Sequence, residues 1–474
     1  MWFVVKKFFL DTAYVLHENQ CPNERKDMKK ILTLCFAACM AAIAGDKITA
    51  FFAAPAQAPA DLPSTELYPK GTMFPFGFYS FGGGSDNKRG ELLSEEQRYA
   101  DQDYILKNGC VSFIGPAYEL NDSCVADAKR TKLKVVYSVH SKGVEGLALD
   151  GAELTFKELD KLEKEKKEPD WELLKAEVAS IVKAVADNPE IAVWNLAPEE
   201  LRPWKAMDMK VLQVTADTVR ANDPLKRPLA LYLPNHYGTA ALKKFFPPLD
   251  ISWRGMYVNY AGKKDSRVWA RWAIMQQLEA IKDVPNAVCW ALPEMFQTPK
   301  ESADVAKIPA WVRHDVYSAL VEGAKGVLVF SASRRGNFAE CRKIYLDEYL
   351  KISQELNGEK ALAQMYLFGE RKDDLTFSVV EGPETLSCAH HNAKTEMPSL
   401  AIANIAWKNA RYVTIVNSSN ENVSVIMDGL PYGSDMGYEN VFDAKPEFLV
   451  VAEGNTQIDL DPLEVRLLKV YCRE

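Results

Sequence analysis

Trp171-Glu-Leu-Leu-Lys-Ala-Glu-Val-Ala-Ser-Ile-Val-Lys-Ala-Val-Ala186 and, after Asp187–Glu190, Ile191-Ala-Val-Trp-Asn-Leu-Ala197 make up the stretch that decides the fold. In the first segment Trp171, Leu174, Val178, Ile181, Val182 and Val185 keep helical spacing and form one core-facing stripe. The second is apolar without alternation, the pattern of a strand buried on both faces. A one-faced helix followed by a two-faced strand is the repeating unit of a parallel α/β fold.

The same alternation continues in both directions. Apolar runs rich in β-branched and aromatic residues occur at 74–81, 111–118, 134–140, 191–197, 229–234, 255–260, 287–292 and 326–331. Helical patterns fall between them, at 94–107, 171–186, 211–221, 266–281 and 311–323. Eight such runs over roughly 265 residues match the length of a (β/α)8 TIM barrel. A doubly wound open sheet is the alternative, but no Gly-x-Gly-x-x-Gly follows the first run. We place the barrel at 70–365. The long charged stretch 142–169, between the third run and its helix, reads as a solvated helical excursion, or as a lid over the barrel mouth.

Beyond about 375 the texture changes to short alternating runs at 375–380, 401–406, 412–417, 423–427 and 465–471, separated by Asn, Gly, Ser and Asp. This predicts a C-terminal antiparallel β-sandwich over 372–474.

Of 474 residues, 57 are Lys or Arg and 65 Asp or Glu, a net charge of -8. That balance argues against a nucleic-acid partner, which calls for a basic patch. No apolar run reaches the ~18 residues of a membrane span. Residues 1–27 read as an over-called leader, and 28–58 as signal peptide and linker: Met28-Lys29-Lys30, an Ala-rich apolar run, then Ala-Ile-Ala44 and Ala-Gln-Ala58. The expectation is therefore export to the periplasm or the medium, with lipid anchoring at Cys39 as a lesser alternative. The remaining cysteines are scattered and show no zinc spacing, so no zinc site is expected, and a pair of carboxylates would need no metal or organic cofactor. Cys388 and Cys472 are the pair to check for a disulfide, with buried thiols as the alternative.

In a (β/α)8 barrel the reacting groups stand where strands end at the C-terminal face. Read off there, the candidates are Tyr79, Glu119, His140, Glu199, Glu200, Asn235, His236, Asn259, Tyr260, Glu294 and Arg334, with Trp204 just beyond the fourth run. Acids on runs two, four and seven, ringed by aromatic and amide groups, suit carbohydrate chemistry, because cleaving a glycosidic bond takes one carboxylic acid and one carboxylate. Trp204, Trp253 and Trp311 are candidates for a platform on which a sugar ring stacks. Arg334 reads either as a contact to an anionic sugar or as half of a surface ion pair. His314, inside a helix, reads as structural.

Two segments resemble each other: Trp194-Asn195-Leu196-Ala197-Pro198-Glu199 and Trp290-Ala291-Leu292-Pro293-Glu294. Each is an apolar strand carrying a Trp and ending in Pro-Glu. On these residues the chain resembles the clan of retaining glycoside hydrolases built on (β/α)8 barrels, in which the acid/base Glu ends strand four and the nucleophile Glu ends strand seven. The resemblance implies Glu199 as acid/base, Glu294 as nucleophile, and Tyr260 as a contact of the nucleophile. It also implies an oligo- or polysaccharide substrate. Glu119 reads as a group that binds it or supports those that do, and His140 and His236 as contacts to sugar hydroxyls or as local structural hydrogen-bonders. In such a cycle Glu199 holds a proton in the free enzyme and Glu294 is ionised. Pro198 stands where the clan has Asn, and a one-residue shift leaves Glu200 open as the strand-four acid. Two other readings keep the barrel: a glycan-binding protein without activity, and a lyase using His140, His236 or Tyr260 as base.

Overall fold

The computed structural model describes residues 51–52, 74–79, 93–116, 121–139, 146–149, 152–196, 201–246, 248–262, 267–334, 338–390, 393–443 and 454–473. The leader, the signal-peptide and linker readings and Cys39 therefore lie outside the described residues, save Phe51-Phe52. The chain divides after Ala53 into two compact units, of which the second, Ala54–Glu474, carries the barrel and the C-terminal sheets.

Strands β1 (Phe76–Phe78), β2 (Phe113–Ile114), β3 (Lys134–Ser138), β6 (Ile191–Asn195), β7 (Leu229–Leu233), β8 (Ile251–Met256), β9 (Val288–Pro293) and β10 (Val327–Val329) close into a parallel barrel in chain order. The connecting helices include α1 (Glu95–Asn108), α2 (Asn121–Thr131), α4 (Trp171–Val185), α5 (Ala206–Asn222), the short α6 (Thr239–Leu242), α7 (Val268–Ile281), α8 (Ile308–Glu322) and α9 (Ala339–Asn357). Local sequence explains their starts. Ser94 accepts from the Gln97 amide and Gln97 reaches back to the Ser94 amide, a capping box that opens α1. Asp170 caps α4 by accepting from the Leu173 amide.

Strand alternation divides the core in two. Tyr79, Phe113, Val136, Val193, Ala230, Ile251, Trp253, Trp290, Leu292 and Leu328 fill the barrel, while the intervening residues pack outward against the helices. Such large inward side chains need room. A Cβ on Gly326 would stand 2.7 Å from the Trp290 indole, so the glycine leaves the space that the indole fills. Trp194 and Trp290 are both fully buried. Trp194 faces outward, donating from Nε1 to Asp223 at 2.9 Å, with the Arg227 guanidinium over its ring.

Two expectations from the sequence are corrected. The sixth strand is Ile251–Met256, displaced toward the N-terminus from the expected 255–260. Ser252 and Arg254 hid it, polar residues in a strand whose every residue is buried. Arg254 reaches outward instead of to water: its Nε donates to the Ala273 carbonyl at 3.0 Å and its Nη2 to the Asn235 carbonyl at 3.1 Å, with further bonds to the Pro234 and Tyr237 carbonyls. The charged stretch after β3 is not wholly helical either. It carries a hairpin, β4 (Gly146–Leu149) with β5 (Ala152–Thr155), before α3 (Phe156–Glu165).

From Glu370 the chain forms antiparallel sheets. One has five strands in the order β11 (Glu370–Arg371), β15 (Leu400–Trp407), β16 (Ala410–Asn417), β20 (Val465–Cys472) and β18 (Met436–Asn440). A second joins β12 (Thr376–Glu381), β17 (Val423–Asp428) and β19 (Asn455–Leu460), and β13 (Thr385–His390) pairs with β14 (Ala393–Pro398). Helix α8 lies against β15, β16 and β20, so this module packs on the barrel flank. Cys388 is buried in β13 and Cys472 is exposed at the end of β20, and the two are not bonded to each other.

Candidate active site

Glu294 follows β9 directly, at the C-terminal end of the seventh barrel strand. Its backbone is fixed from two sides: it bridges Phe330, and the Tyr349 hydroxyl donates to its carbonyl at 3.1 Å. The residue is 2% exposed. Oε1 accepts from the Asn259 amide at 2.7 Å and Oε2 from the Tyr260 amide at 3.1 Å, so the turn after β8 clamps both carboxylate oxygens. The Arg267 guanidinium stands 4.0 Å away. Burial pushes the Glu294 carboxyl up to about 7, against the pull of Arg267 and the two amides. The expectation for Glu294 is an ionised carboxylate; burial draws it toward the protonated form, and Arg267 and the two amides draw it back.

Aromatic rings line the barrel beside this carboxylate. Tyr257 stacks on Tyr232, meets Phe296 edge-on at 5.3 Å and leans on Phe330 at 5.8 Å. Tyr79 stands 5.3 Å from Phe330 and 5.9 Å from Trp253. In the barrel interior the indole nitrogens of Trp253 and Trp290 and Asn195 Oδ1 are buried with no hydrogen-bond partner among the described residues. Asn195 Nδ2 donates to Ser138 Oγ at 2.9 Å, tying the ends of β6 and β3 together.

Of the remaining candidates, Glu119, His140, Glu199 and Glu200 lie outside the described residues. Asn259 and Tyr260 meet Glu294, but through backbone amides; the Tyr260 ring is 68% exposed and rests on Phe296. Trp204 is 63% exposed, its ring edge-on to Tyr237, and the exposed His236 lies on the same tyrosine. Asn235, half-buried, belongs to the loop that Arg254 holds. Trp253 is fully buried in the barrel and presents no face to solvent, whereas Trp311, 9% exposed, lines a cavity together with Asn259 and Arg267. Arg334 pairs with Asp101 of α1 at 2.5 Å, which is the ion-pair reading. His314, wholly buried, bonds Asp315 and Ser418. Among the described residues no three His, Cys, Asp or Glu gather in metal-binding geometry.

Sequence reasoning missed Tyr232, Tyr257, Phe296, Phe330, Arg267 and Asp315. The first two and Phe330 lie inside or beside strand runs, where an aromatic reads as core. Phe296 stands two residues past Glu294, the same side by strand parity, and that spacing was a usable signal.

No protein-family model matches the sequence, and no curated protein matches it. Solved structures do match the fold. An Anoxybacillus α-amylase superposes with a TM-score of 0.51 at 11% identity, covering 85% of this chain and 98% of that one. The α-amylase from H. orenii gives 0.50 at 9% identity, covering 84% and 99%. A protein described as a glycoside hydrolase gives 0.50 at 12% identity, covering 87% and 96%. At such identities the likeness is one of fold: a closed parallel barrel followed by antiparallel sheets, the architecture expected from the sequence.

Proposed function

We propose that this protein is a glycoside hydrolase that cleaves an oligo- or polysaccharide by a retaining double displacement. The observation that carries the reading is the position of Glu294: a buried carboxyl at the end of the seventh barrel strand, clamped by two amides, with aromatic rings around it. The nearness in fold to barrels named as α-amylases and glycoside hydrolases supports it.

In this reading Glu199 gives its proton to the leaving oxygen while Glu294 attacks the anomeric carbon, breaking the glycosidic bond and forming a glycosyl ester. Glu199 then takes a proton from water, which displaces Glu294. The two amides on the Glu294 carboxylate orient it and limit its rotation, which is what an in-line attack needs. Burial of Glu294 favours a second assignment on the same site, in which Glu294 is the proton donor and the strand-four glutamate attacks.

The experiment is hydrolysis of a panel of aryl glycosides by the wild type and by Glu294→Gln. The reading expects release of aryl alcohol by the wild type on at least one sugar, reduced at least ~1000-fold in the variant. A folded wild type that binds oligosaccharide and releases no reducing end would show a binding protein instead.

A further inference from the structure

Glu294 is not held by the barrel alone. Arg267, 5% exposed, precedes α7 and stands 4.0 Å from the Glu294 carboxylate. Its Nη1 donates to Asn259 Oδ1 at 3.1 Å, in the residue whose amide binds Glu294. Its Nε donates to Asp315 Oδ1 at 2.8 Å, and its Nη2 also bonds Asp315. The Trp311 ring lies beneath the guanidinium at 5.1 Å.

Asp315 is in turn held by its neighbour. His314 Nδ1 is 2.9 Å from Asp315 Oδ1 and its Nε2 is 3.0 Å from Ser418 Oγ. An ionised carboxylate only accepts, so Nδ1 carries the proton. Burial holds the imidazole below its ordinary range, so it is neutral and Nε2 accepts from the Ser418 hydroxyl. The chain of donors therefore runs from Ser418 through His314 to Asp315, and Arg267 closes on Asp315 from the other side. Ser418 directly follows β16 and is fully buried, its amide donating to the Ser399 carbonyl at 2.8 Å.

We propose that Arg267 is the positioning residue of Glu294, and that Ser418, acting through His314 and Asp315, makes the C-terminal sheets part of the machinery that orients it. This deepens the glycosidase reading and rests on it for its functional meaning. Among the described residues, the other groups facing this region are Tyr345 and Tyr349 of α9, and Lys300, Glu301, Asp304 and Lys307 around a cavity of about 580 Å³ that Asn259 and Arg267 also line. Arg267 stands 4.0 Å from the carboxylate and bonds the residue that clamps it, so it favours the ionised form of Glu294.

The test is a pH titration of the side-chain carboxyl carbons by NMR in protein labelled with ¹³C-glutamate, with Glu294 assigned by the signal lost in Glu294→Gln. Arg267→Gln is expected to raise the Glu294 midpoint by about one pH unit or more, and Arg267→Lys to restore most of it. Ser418→Ala is expected to move the midpoint the same way by less, and Ser418→Thr, which keeps the hydroxyl, to return it. An unmoved midpoint in folded Arg267→Gln would overturn the proposal, and so would an unmoved one in Ser418→Ala. If Arg267→Gln does not fold, the Ser418→Ala and Ser418→Thr pair decides. The readout is protonation and not turnover, so shifted midpoints in a protein that cleaves no glycoside would support this proposal and refute the glycosidase reading.

Discussion

Replacing Glu294 with Gln should change how the stability of the protein depends on pH, and the size of that change follows from burial. The residue is 2% exposed, and burial lifts its carboxyl from an ordinary 4.5 to about 7. The folded state therefore keeps the proton longer than the unfolded chain does. Below pH 4.5 both states are protonated and the group contributes nothing to the difference. Between 4.5 and about 7 the unfolded chain ionises first, and the folded state loses stability as pH rises. Above about 7 the loss is complete. At about 1.4 kcal/mol per pH unit, it amounts to about 3 kcal/mol. Gln cannot ionise, so it escapes this loss. It brings a different one: its amide oxygen serves one backbone donor, while its NH₂ faces the other. That mismatch costs about 1–3 kcal/mol at every pH. The pH dependence, not the offset, is therefore the signal. Urea unfolding of both proteins at pH values from about 4 to 9 should show wild type losing about 3 kcal/mol relative to the variant as pH rises to about 7, and no further change above it. Parallel stability curves across that range would refute the reasoning.

The same carboxyl sets an edge in the rate. If Glu294 is the nucleophile it must be ionised, so kcat/KM on an aryl glycoside should climb as pH rises through about 7; a fall through that value would make Glu294 the proton donor. Arg254→Met should cost about 3 kcal/mol, because a fully buried guanidinium that donates to the carbonyls of Pro234, Asn235, Tyr237 and Ala273 is lost. It should also raise KM more than it lowers kcat, since the loop carrying Asn235 and His236 loses its anchor. An unfolding midpoint within error of wild type would contradict this.

How much was readable from the sequence varies along the chain, for physical reasons. Strands β6 and β7 were plain because both faces are buried and neither carries a charge until the barrel mouth. Strand β8 was displaced because Arg254 satisfies its guanidinium on carbonyls of neighbouring segments, which a reading of polarity takes for a loop. In the C-terminal sheets, β13, β14, β18 and β19 carry so many polar residues that no apolar run marks them. Glu294 was visible as an acid ending an apolar run, and Asn259 and Tyr260 as candidates beside it. That they act through their amides was not, because every residue has one. Asp315 was not visible either, since it reads as one more polar residue on a helix. Ser418 and His314 meet across 104 residues of sequence, a separation to which no local pattern points.

The most direct measurement of the central claim is mass spectrometry of the protein after incubation with a panel of activated 2-deoxy-2-fluoro glycosides, which slow the second displacement more than the first. The account predicts a mass gain of one glycosyl group, located on the peptide that contains Glu294 and absent from Glu294→Gln. A glycosyl group on the strand-four glutamate would reverse the two roles. Turnover of an aryl glycoside with inverted product and no adduct would contradict the double displacement.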